Sequence, residues 1–258
     1  MKILHVVGAR PNFMKLGPVM VALARRPAVQ QYLVHTGQHF DRQMSEVFFR
    51  ELAIPEPDCN LEVGSSSHTA QTAEIMNRFE PVVLEKRPNL VLVYGDVNST
   101  LAAALVCAKL LIPIGHVEAG LRSFDRTMPE EINRLVTDQI AQFLFTPSAD
   151  ANRNLQHEGI GEHRIFLVGN VMIDTLVRIL PRADATQELE RLNLVGQTYV
   201  LVTLHRPSNV DDPQRLEELL LTLKELAAET PIVFPVHPRT RHVMRRSKLD
   251  IHSPRLHL

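Results

Sequence analysis

The stretch LVLVYGDVNSTLAAALVCAKLLIPIGHVEAG (residues 90–120) contains a strand, a helix and a second strand in immediate succession. LVLVYG (90–95) and PIGHVE (113–118) are short apolar runs without polar alternation, which is typical of strands covered on both faces of a parallel sheet. Between them, STLAAALVCAKLL (99–111) has the length and pattern of a helix. This succession predicts two parallel strands joined by a helical crossover.

The same alternation extends in both directions from this unit. Further short apolar runs with strand character are ILHVVG (3–8), YLVHTG (32–37), FLFTP (143–147) and RIFLVG (164–169). Stretches of helical period lie between the strands: NFMKLGPVMVALARR (12–26), DRQMSEVFFREL (41–52), TAQTAEIMNRFEPVVLEK (69–86) and EEINRLVTDQIAQ (130–142). The order predicts an α/β fold with a doubly wound parallel sheet and helices on both of its faces.

A second unit of the same kind is predicted to begin near Gly169. It contains the strand candidates YVLVTLH (199–205) and PIVFPVH (231–237), with the helical stretch DPQRLEELLLTLKELAAE (212–229) between them. We therefore expect an N-terminal domain at residues 1–168 and a second domain at residues 169–258. About ninety residues with two or three strands are few for a doubly wound domain, so we expect the second domain to be incomplete at its C-terminus.

Composition and charge exclude several classes of partner. Among the 258 residues, 28 Lys and Arg stand against 29 Asp and Glu, which gives a net charge of -1 and no field to attract nucleic acid or an anionic membrane. No apolar stretch approaches the ~20 residues of a membrane-spanning helix. The N-terminal apolar run is short, breaks at Gly8 and Pro11, and has no cleavage site for a signal peptide. These features predict a cytoplasmic protein with neither nucleic acid nor membrane as a partner.

The sequence lacks the usual cofactor and nucleophile motifs. Cys59 and Cys107 are isolated, and the histidines show no spacing typical of metal ligands, so no metal is expected. No GxGxxG or Walker A loop follows the first strand, and no GxSxG elbow is present. We therefore expect no nicotinamide cofactor, no nucleoside triphosphate site of the P-loop type and no serine hydrolase.

Charged side chains follow the first strand. In open α/β sheets, ligands bind beyond the carboxyl ends of the strands. The segment GARPNFMK (8–15) brings Arg10 and Lys15 to the N-terminus of a helix, where free backbone N–H groups and the helix dipole favour an anion. Two solvated cations at an ordinary helix start are the alternative interpretation.

Carboxylates follow two further strands and open a helix. Asp96 comes directly after LVLVYG, Glu118 ends PIGHVE, and Glu130 and Glu131 begin a helix after Pro129. Asp96 has an alternative role as a helix cap, and one of the two adjacent glutamates as a partner of the helix dipole. Carboxylates and cations that converge on one sheet edge predict an acid/base site beside an anion clamp.

One histidine of the second unit is a further candidate. His205 ends the strand YVLVTLH and is followed by Arg206. A single histidine at a strand end is often structural. If it faces the carboxylates of the first domain across a cleft, His205 is instead a candidate for the same site.

Six motifs in order carry a family resemblance: GARPNFMK (8–15), TGQHFDRQM (36–44), VYGDVNSTLAAAL (93–105), HVEAGLRSFDRTMPEEINR (116–134), VGNVMIDTL (168–176) and VTLHRPSNVDDP (202–213). Together they closely resemble the non-hydrolysing UDP-N-acetylglucosamine 2-epimerases. The resemblance implies two Rossmann-like domains in the GT-B arrangement. It also implies reversible conversion of UDP-N-acetylglucosamine to UDP-N-acetylmannosamine through elimination and re-addition of UDP, by a cytoplasmic homodimer that needs no cofactor and supplies precursor for cell-surface polysaccharide.

The resemblance also implies roles for individual residues. Carried over by motif, the catalytic candidates are Asp96, Glu118, Glu130 and His205, and the substrate-binding candidates are Arg10, Lys15, Asp96, Glu118 and His205. Which carboxylate serves which face of the sugar stays open. Gln38, His39 and Gln43 match a segment at which some bacterial members bind a second substrate molecule as an activator, and an ordinary polar helix start is the simpler alternative interpretation.

Two departures from the family leave other functions open. Many relatives have Thr and Glu where this chain has Ala9 and Asn12, and family members continue past residue 258 with a DSGG loop and glutamates that hold UDP. A GT-B-like glycosyltransferase, a hydrolysing relative, and an inactive fragment that serves as a binding or oligomerisation module are therefore the alternatives.

Overall fold

The computed structural model describes residues 1–38, 49, 51–52, 54–182, 185–247, 251 and 253–258. They divide into two compact units, Met1–Pro181 and Arg182–Leu258. Among these residues, no helix combines the length and the apolar character that are needed to span a bilayer.

The described residues of the first unit form a seven-stranded parallel sheet with the order β3-β2-β1-β4-β5-β6-β7. Its strands are β1 (Lys2–Val7), β2 (Gln30–His35), β3 (Cys59–Asn60), β4 (Leu90–Tyr94), β5 (Ile114–Val117), β6 (Phe143–Thr146) and β7 (Ile165–Leu167). The helices are α1 (Arg10–Ala24), α2 (His68–Lys86), α3 (Asn98–Lys109), α4 (Pro129–Ile140), α5 (Ala149–His157) and α6 (Val171–Ile179), with 3-10 turns at Glu162–Arg164 and Leu180–Arg182. The predicted doubly wound α/β fold is confirmed. The short strand β3 was not predicted.

Helices cover both faces of this sheet, which explains why its central strands are apolar throughout. All five residues of β4 are buried. One hydrophobic core joins the sheet to α2 and α3 through Phe79, Val83 and Ala103, and the other joins it to α1 through Phe13 and Leu16. A strand buried on both faces needs apolar residues at every position, because it has no solvent-facing side.

The strand order places a crevice at the ends of β1 and β4. β1 pairs with β2 on one side and with β4 on the other, so the order of strands along the chain reverses at this point. Ligands of doubly wound sheets bind at such a switch point, beyond the carboxyl ends of the strands. The segments that leave β1, β4 and β5 therefore border one region.

The boundary between the units differs from the expected division at residues 168 and 169. The structure groups residues 169–181 with the first unit because α6 packs against α1. The Thr175 hydroxyl donates to the carbonyl of Met14 at 2.5 Å, and the Arg178 guanidinium donates to the carbonyl of Leu52 at 2.5 Å. A sequence pattern does not show such contacts.

The described residues of the second unit contain a three-stranded parallel sheet with the order β10-β9-β8. Its elements are α7 (Ala185–Arg191), β8 (Val200–Leu201), α8 (Pro207–Val210), α9 (Pro213–Leu226), β9 (Ile232–Val233), α10 (Pro238–Ser247) and β10 (Leu256–His257). The core includes Leu216, Leu220 and Phe234. The predicted second parallel-sheet unit is therefore confirmed, although β8 and β9 are shorter than the apolar runs from which they were predicted.

Candidate functional site

A buried ion pair joins α1 to the end of β5. Lys15 Nζ lies 2.6 Å from Glu118 Oε1, and their side chains are 5% and 15% exposed. Gly95, at the end of β4, lies against this pair: a Cβ there would be 2.6 Å from Lys15 Nζ and 3.6 Å from Glu118 Oε1. The ends of β4 and β5 and the first part of α1 therefore meet at this pair, and only a glycine at position 95 leaves room for it.

The backbone of Glu118 is strained. Its φ angle of 73° lies in the left-handed region, which costs a residue with a side chain about 1–3 kcal/mol. The N–H groups of Glu118 and Ala119 both donate to the carbonyl of Phe145, at 3.0 and 3.1 Å. Strain of this kind at a strand end is frequent in functional sites, where it sets the direction of a side chain.

Asp96 is held by an arginine from α4. The Arg134 guanidinium donates to Asp96 Oδ2 and, at 2.6 Å, to Glu131 Oε2. Val97 is the N-cap residue of α3, and no side chain makes a capping hydrogen bond there. Helix capping therefore does not account for Asp96.

The two glutamates that open α4 differ in environment. Glu131 is 2% exposed and accepts the N–H groups of Ser123 and Phe124, each at 3.0 Å. Burial acts to raise the pKa of Glu131, but the hydrogen bonds from the Ser123 N–H and from Arg134 outweigh it and lower the pKa to about 2. Glu131 is therefore a structural anchor for the loop before α4, whereas Glu130 is only half-buried and makes no such set of contacts.

Glu130 lines a polar cavity of about 240 Å³ within the first unit. The other lining residues are Gln38, Ser65, Ser66, His68, Gln71, Val97, Asn98 and Asn133. The Asn133 amide donates to the carbonyl of Asp96 at 2.8 Å, and the Asn98 amide donates to Gln71 Oε1 at 2.8 Å. The amide and hydroxyl groups of this wall suit a ligand rich in hydroxyl and amide groups. Across the described ranges, no group of three His, Cys, Asp or Glu side chains is arranged to hold a metal ion.

Asn12 organises the loop between β1 and α1. Its Oδ1 accepts the N–H groups of Gly8 and Ala9, each at 3.1 Å, and its amide donates to the carbonyl of Tyr94 at 2.8 Å. The side chain thereby connects this loop to the end of β4. Because Asn12 occupies these two N–H groups, they are not available to the expected anion site at Arg10 and Lys15.

Gln38 is the one of the three candidate regulatory residues that the structure describes. Its Oε1 accepts from the N–H and the hydroxyl of Ser99, at 3.0 and 2.6 Å, and its carbonyl accepts from the Gln71 amide at 3.2 Å. His39 and Gln43 lie outside the described residues.

His205 belongs to the second unit. It is exposed and lines a cavity of about 660 Å³ together with His237 and Arg241. The rings of His205 and His237 lie 5.5 Å apart between centroids. The expected position of His205 opposite the carboxylates of the first unit stays a prediction.

A second set of buried charges lies beneath the site and was not predicted. His116 Nδ1 lies 2.6 Å from Asp138 Oδ1, and Asp138 Oδ2 lies 2.8 Å from the Arg122 guanidinium. Arg122 also contacts Glu158 at 2.7 Å. Burial acts to raise the pKa of Asp138, but the charges of His116 and Arg122 outweigh it and lower that pKa. Asp138 lies within the helical run EEINRLVTDQIAQ, where nothing in the sequence marks His116 as its partner.

The chain matches the family model described as UDP-N-acetylglucosamine 2-epimerase over residues 21–258. It is 48% identical over 251 residues to the UDP-N-acetylglucosamine 2-epimerase homolog of Methanococcus maripaludis, covering 96% of this chain and 69% of that protein. It is 45% identical over 255 residues to the UDP-2,3-diacetamido-2,3-dideoxy-D-glucuronate 2-epimerase of Pseudomonas aeruginosa, covering 97% of this chain and 71% of that protein.

The fold is similar to that of solved structures with bound nucleotide sugar. The crystal structure of Methanocaldococcus jannaschii UDP-GlcNAc 2-epimerase in complex with UDP-GlcNAc and UDP matches with a TM-score of 0.85 at 41% identity. The match covers 96% of this chain and 69% of that chain. The GT-B-like class expected from the motifs is confirmed by this similarity.

Proposed function

This chain belongs to the UDP-N-acetylglucosamine 2-epimerase family, an isomerase family, and on that premise we propose that it interconverts UDP-N-acetylglucosamine and UDP-N-acetylmannosamine by eliminating and re-adding UDP. The observation that carries the proposal is the Glu118 carboxylate, which extends from a strained backbone position beside Lys15, next to the strand end that bears Asp96. A base and a cation held together suit a reaction that removes a proton and releases an anion.

The chemistry explains why several acid/base groups are needed. The hydrogen on C2 of the sugar has no adjacent carbonyl, so direct removal is too difficult. In the proposed route the bond between C1 and the UDP oxygen breaks first, and positive charge develops at C1. A base then takes the C2 proton, which leaves a double bond between C1 and C2 in 2-acetamidoglucal. UDP adds back to C1 while a proton reaches C2 from the opposite face, so the configuration at C2 inverts.

We assign these proton transfers to Asp96, Glu118 and Glu130. Glu118 is directed by its left-handed backbone, Asp96 is oriented by Arg134, and Glu130 lines the polar cavity. Glu131 is left out of the assignment because its carboxylate is occupied by two backbone N–H groups and by Arg134.

The departing diphosphate requires cationic or donor groups. Lys15 and Arg10 supply positive charge in the first unit, and His205 supplies an imidazole in the second, beside His237 and Arg241. We propose that these groups bind the diphosphate or protonate its leaving oxygen. Donors fixed before the reaction stabilise the charge that develops in the transition state.

A second substrate candidate follows from the Pseudomonas aeruginosa relative. The substrate in that protein's name has a second acetamido group on C3 and a carboxylate on C6, but the same acetamido group on C2. Supplying the purified gene product with each of the two UDP-sugars separately tests the proposal. UDP-N-acetylmannosamine formed from UDP-N-acetylglucosamine supports it, and turnover of only the diacetamido glucuronate supports the second candidate.

The other functional alternatives give different products. A glycosyltransferase or a hydrolysing relative releases free UDP in step with product, whereas the proposed reaction returns UDP to the sugar. A chain that serves only for binding or oligomerisation produces no turnover with either sugar. Measuring free UDP during the same incubations distinguishes these cases.

Regulation by a second substrate molecule is a separate proposal. It depends on Gln38, His39 and Gln43, of which Gln38 lines the same cavity as Glu130. Sigmoidal dependence of the rate on UDP-N-acetylglucosamine, lost in Gln43→Ala, is the expected result. A hyperbolic curve for the wild type contradicts it.

The cellular context is also proposed from the family alone. We expect a cytoplasmic homodimer whose product is a precursor for cell-surface polysaccharide. Sedimentation of the purified protein and fractionation of its host cells measure the first two expectations.

A further inference from the structure

One buried side chain connects the three elements that carry the candidate carboxylates. Asp96 follows β4, Glu118 follows β5, and Glu130 lies in the first turn of α4. His116, on β5, lies 2.8 Å from the carbonyl of Gly95 through Nε2 and 2.6 Å from Asp138 on α4 through Nδ1. His116 and Asp138 are both 0% exposed.

The partners of His116 determine its protonation. A backbone carbonyl oxygen only accepts hydrogen bonds, so Nε2 must carry a proton to bond with Gly95. An ionised carboxylate also only accepts, so Nδ1 must carry a proton to bond with Asp138. With Asp138 ionised, this pair of hydrogen bonds requires a donor at each ring nitrogen, which is the imidazolium form of His116.

The neighbouring charges compensate this cation. Asp138 also contacts Arg122 at 2.8 Å, and Arg122 contacts Glu158 at 2.7 Å. The charges of the two cations and two anions in this set sum to zero. No buried charge of the set is therefore left without compensation, which would be costly. From α1, the Lys15–Glu118 pair faces the same strand end.

The network also holds the strained turn on both sides of Glu118. His116 precedes Glu118 by two residues and bonds to Asp138. Gly120 follows it by two residues, and its N–H donates to the other oxygen of Asp138 at 3.0 Å. One carboxylate thus fixes both flanks of the left-handed residue, and strain persists only where the surroundings determine it in this way.

We propose that His116 is a positioning residue, an imidazolium that sets the relative positions of Asp96, Glu118 and Glu130 for proton transfer. The inference rests on the proposed epimerase function for its kinetic consequence, although the charge of His116 can be measured without any turnover. Misplacement of a reacting group by about 1 Å costs about 10²-fold in rate. The loss of either hydrogen bond of the His116 ring should therefore lower kcat more than it changes KM.

Two substitutions remove the two hydrogen bonds of the His116 ring separately. In His116→Asn the amide replaces Nδ1, so the contact with Asp138 is retained and the contact with Gly95 is lost. In His116→Gln the longer amide replaces Nε2, so the reverse is expected. For each variant we expect kcat per folded molecule to fall by about 10–100-fold, with little change in KM.

His5 provides a matched control. It lies on β1 of the same sheet, is 0% exposed, and makes two hydrogen bonds, to Tyr94 at 2.7 Å and Gln31 at 3.0 Å. In His5→Gln we expect lower stability and an unchanged kcat per folded molecule. Folded His116 variants with the wild-type kcat, or an equal loss of kcat in His5→Gln, would overturn the proposal.

NMR of wild-type protein with ¹⁵N-labelled histidine tests the charge directly. We expect the signals of two ring N–H groups for His116 in the folded wild-type protein. A neutral tautomer at this position overturns the proposal even if the variants fail to fold. Absence of epimerase turnover in a wild type that retains the doubly protonated ring refutes the proposed function and leaves the charge assignment intact.

Discussion

Lys15 Nζ lies 2.6 Å from Glu118 Oε1, and this contact joins the first helix to the end of the fifth strand within one buried site. Removing either partner of a buried ion pair leaves an uncompensated charge, which destabilises a protein by about 3–5 kcal/mol. Loss of activity in a variant of Glu118 therefore has two possible sources, a missing base or a damaged fold. The first prediction separates them.

In Glu118→Gln we expect the rate to fall by about 10²–10⁴-fold, the usual contribution of one acid/base group. The substitution retains the volume of the side chain but removes its charge, so thermal melts should also show a loss of stability. Kinetics are measured per folded molecule beside those melts.

The double variant Lys15→Met/Glu118→Gln is the control for stability. It removes both charges, so we expect it to recover much of the stability that Glu118→Gln loses, without recovering activity. Activity that returns together with stability would show that Glu118 acts only as a structural partner of Lys15.

The adjacent glutamates Glu130 and Glu131 form a matched pair of substitutions. In Glu130→Gln we expect a loss of about 10²–10⁴-fold in rate with little change in melting temperature. In Glu131→Gln we expect the melting temperature to fall, because the side chain anchors the N–H groups of Ser123 and Phe124. The opposite pattern would exchange the catalytic and structural assignments.

Glu131 also predicts a dependence of stability on pH. Its pKa is lowered from 4.5 to about 2 in the folded protein, so the unfolded state binds its proton first as the pH falls. Its stabilising contribution is therefore fully present above pH 4.5 and is lost between 4.5 and about 2. Denaturant unfolding at several pH values should show that wild type and Glu131→Gln differ most near neutral pH and converge in acid. A constant difference contradicts the low pKa.

His5 predicts a second pH effect in a higher range. Burial lowers the pKa of His5 from 6.5 to about 4, so the unfolded state takes up the proton first below pH 6.5. The free energy of unfolding should fall by about 3 kcal/mol between pH 6.5 and 4 through this residue alone. In His5→Phe the overall stability is expected to be lower, but its dependence on pH should be shallower across this range. An unchanged slope would assign the effect to other groups.

Periodicity and motif order predicted much of the fold and the direction of the candidate site. Buried strands such as LVLVYG are apolar on both faces, so their pattern is distinctive, and the carboxyl edge of a parallel sheet follows from the order of strands and helices. Asp96 and Glu118 were predicted as strand-end carboxylates for that reason. The local sequence also allowed one of the two glutamates after Pro129 to be structural.

The sequence pattern did not predict contacts between residues that lie far apart along the chain. The pairing of His116 with Asp138 spans 22 residues, and that of Thr175 with Met14 spans 161. Neither pair has a spacing within one helix or strand that a pattern would reveal. The unit boundary differs from the expected one for the same reason, because the packing of α6 on α1 depends on tertiary contacts.

Incorporation of solvent deuterium at C2 tests the central claim most directly. The gene product is incubated with UDP-N-acetylglucosamine in deuterated water, and both UDP-sugars are examined by NMR and mass spectrometry. Removal of the C2 proton and its replacement from the opposite face predict UDP-N-acetylmannosamine with deuterium at C2. Epimerised product that retains hydrogen at C2, or the absence of any epimerised product, would contradict the account.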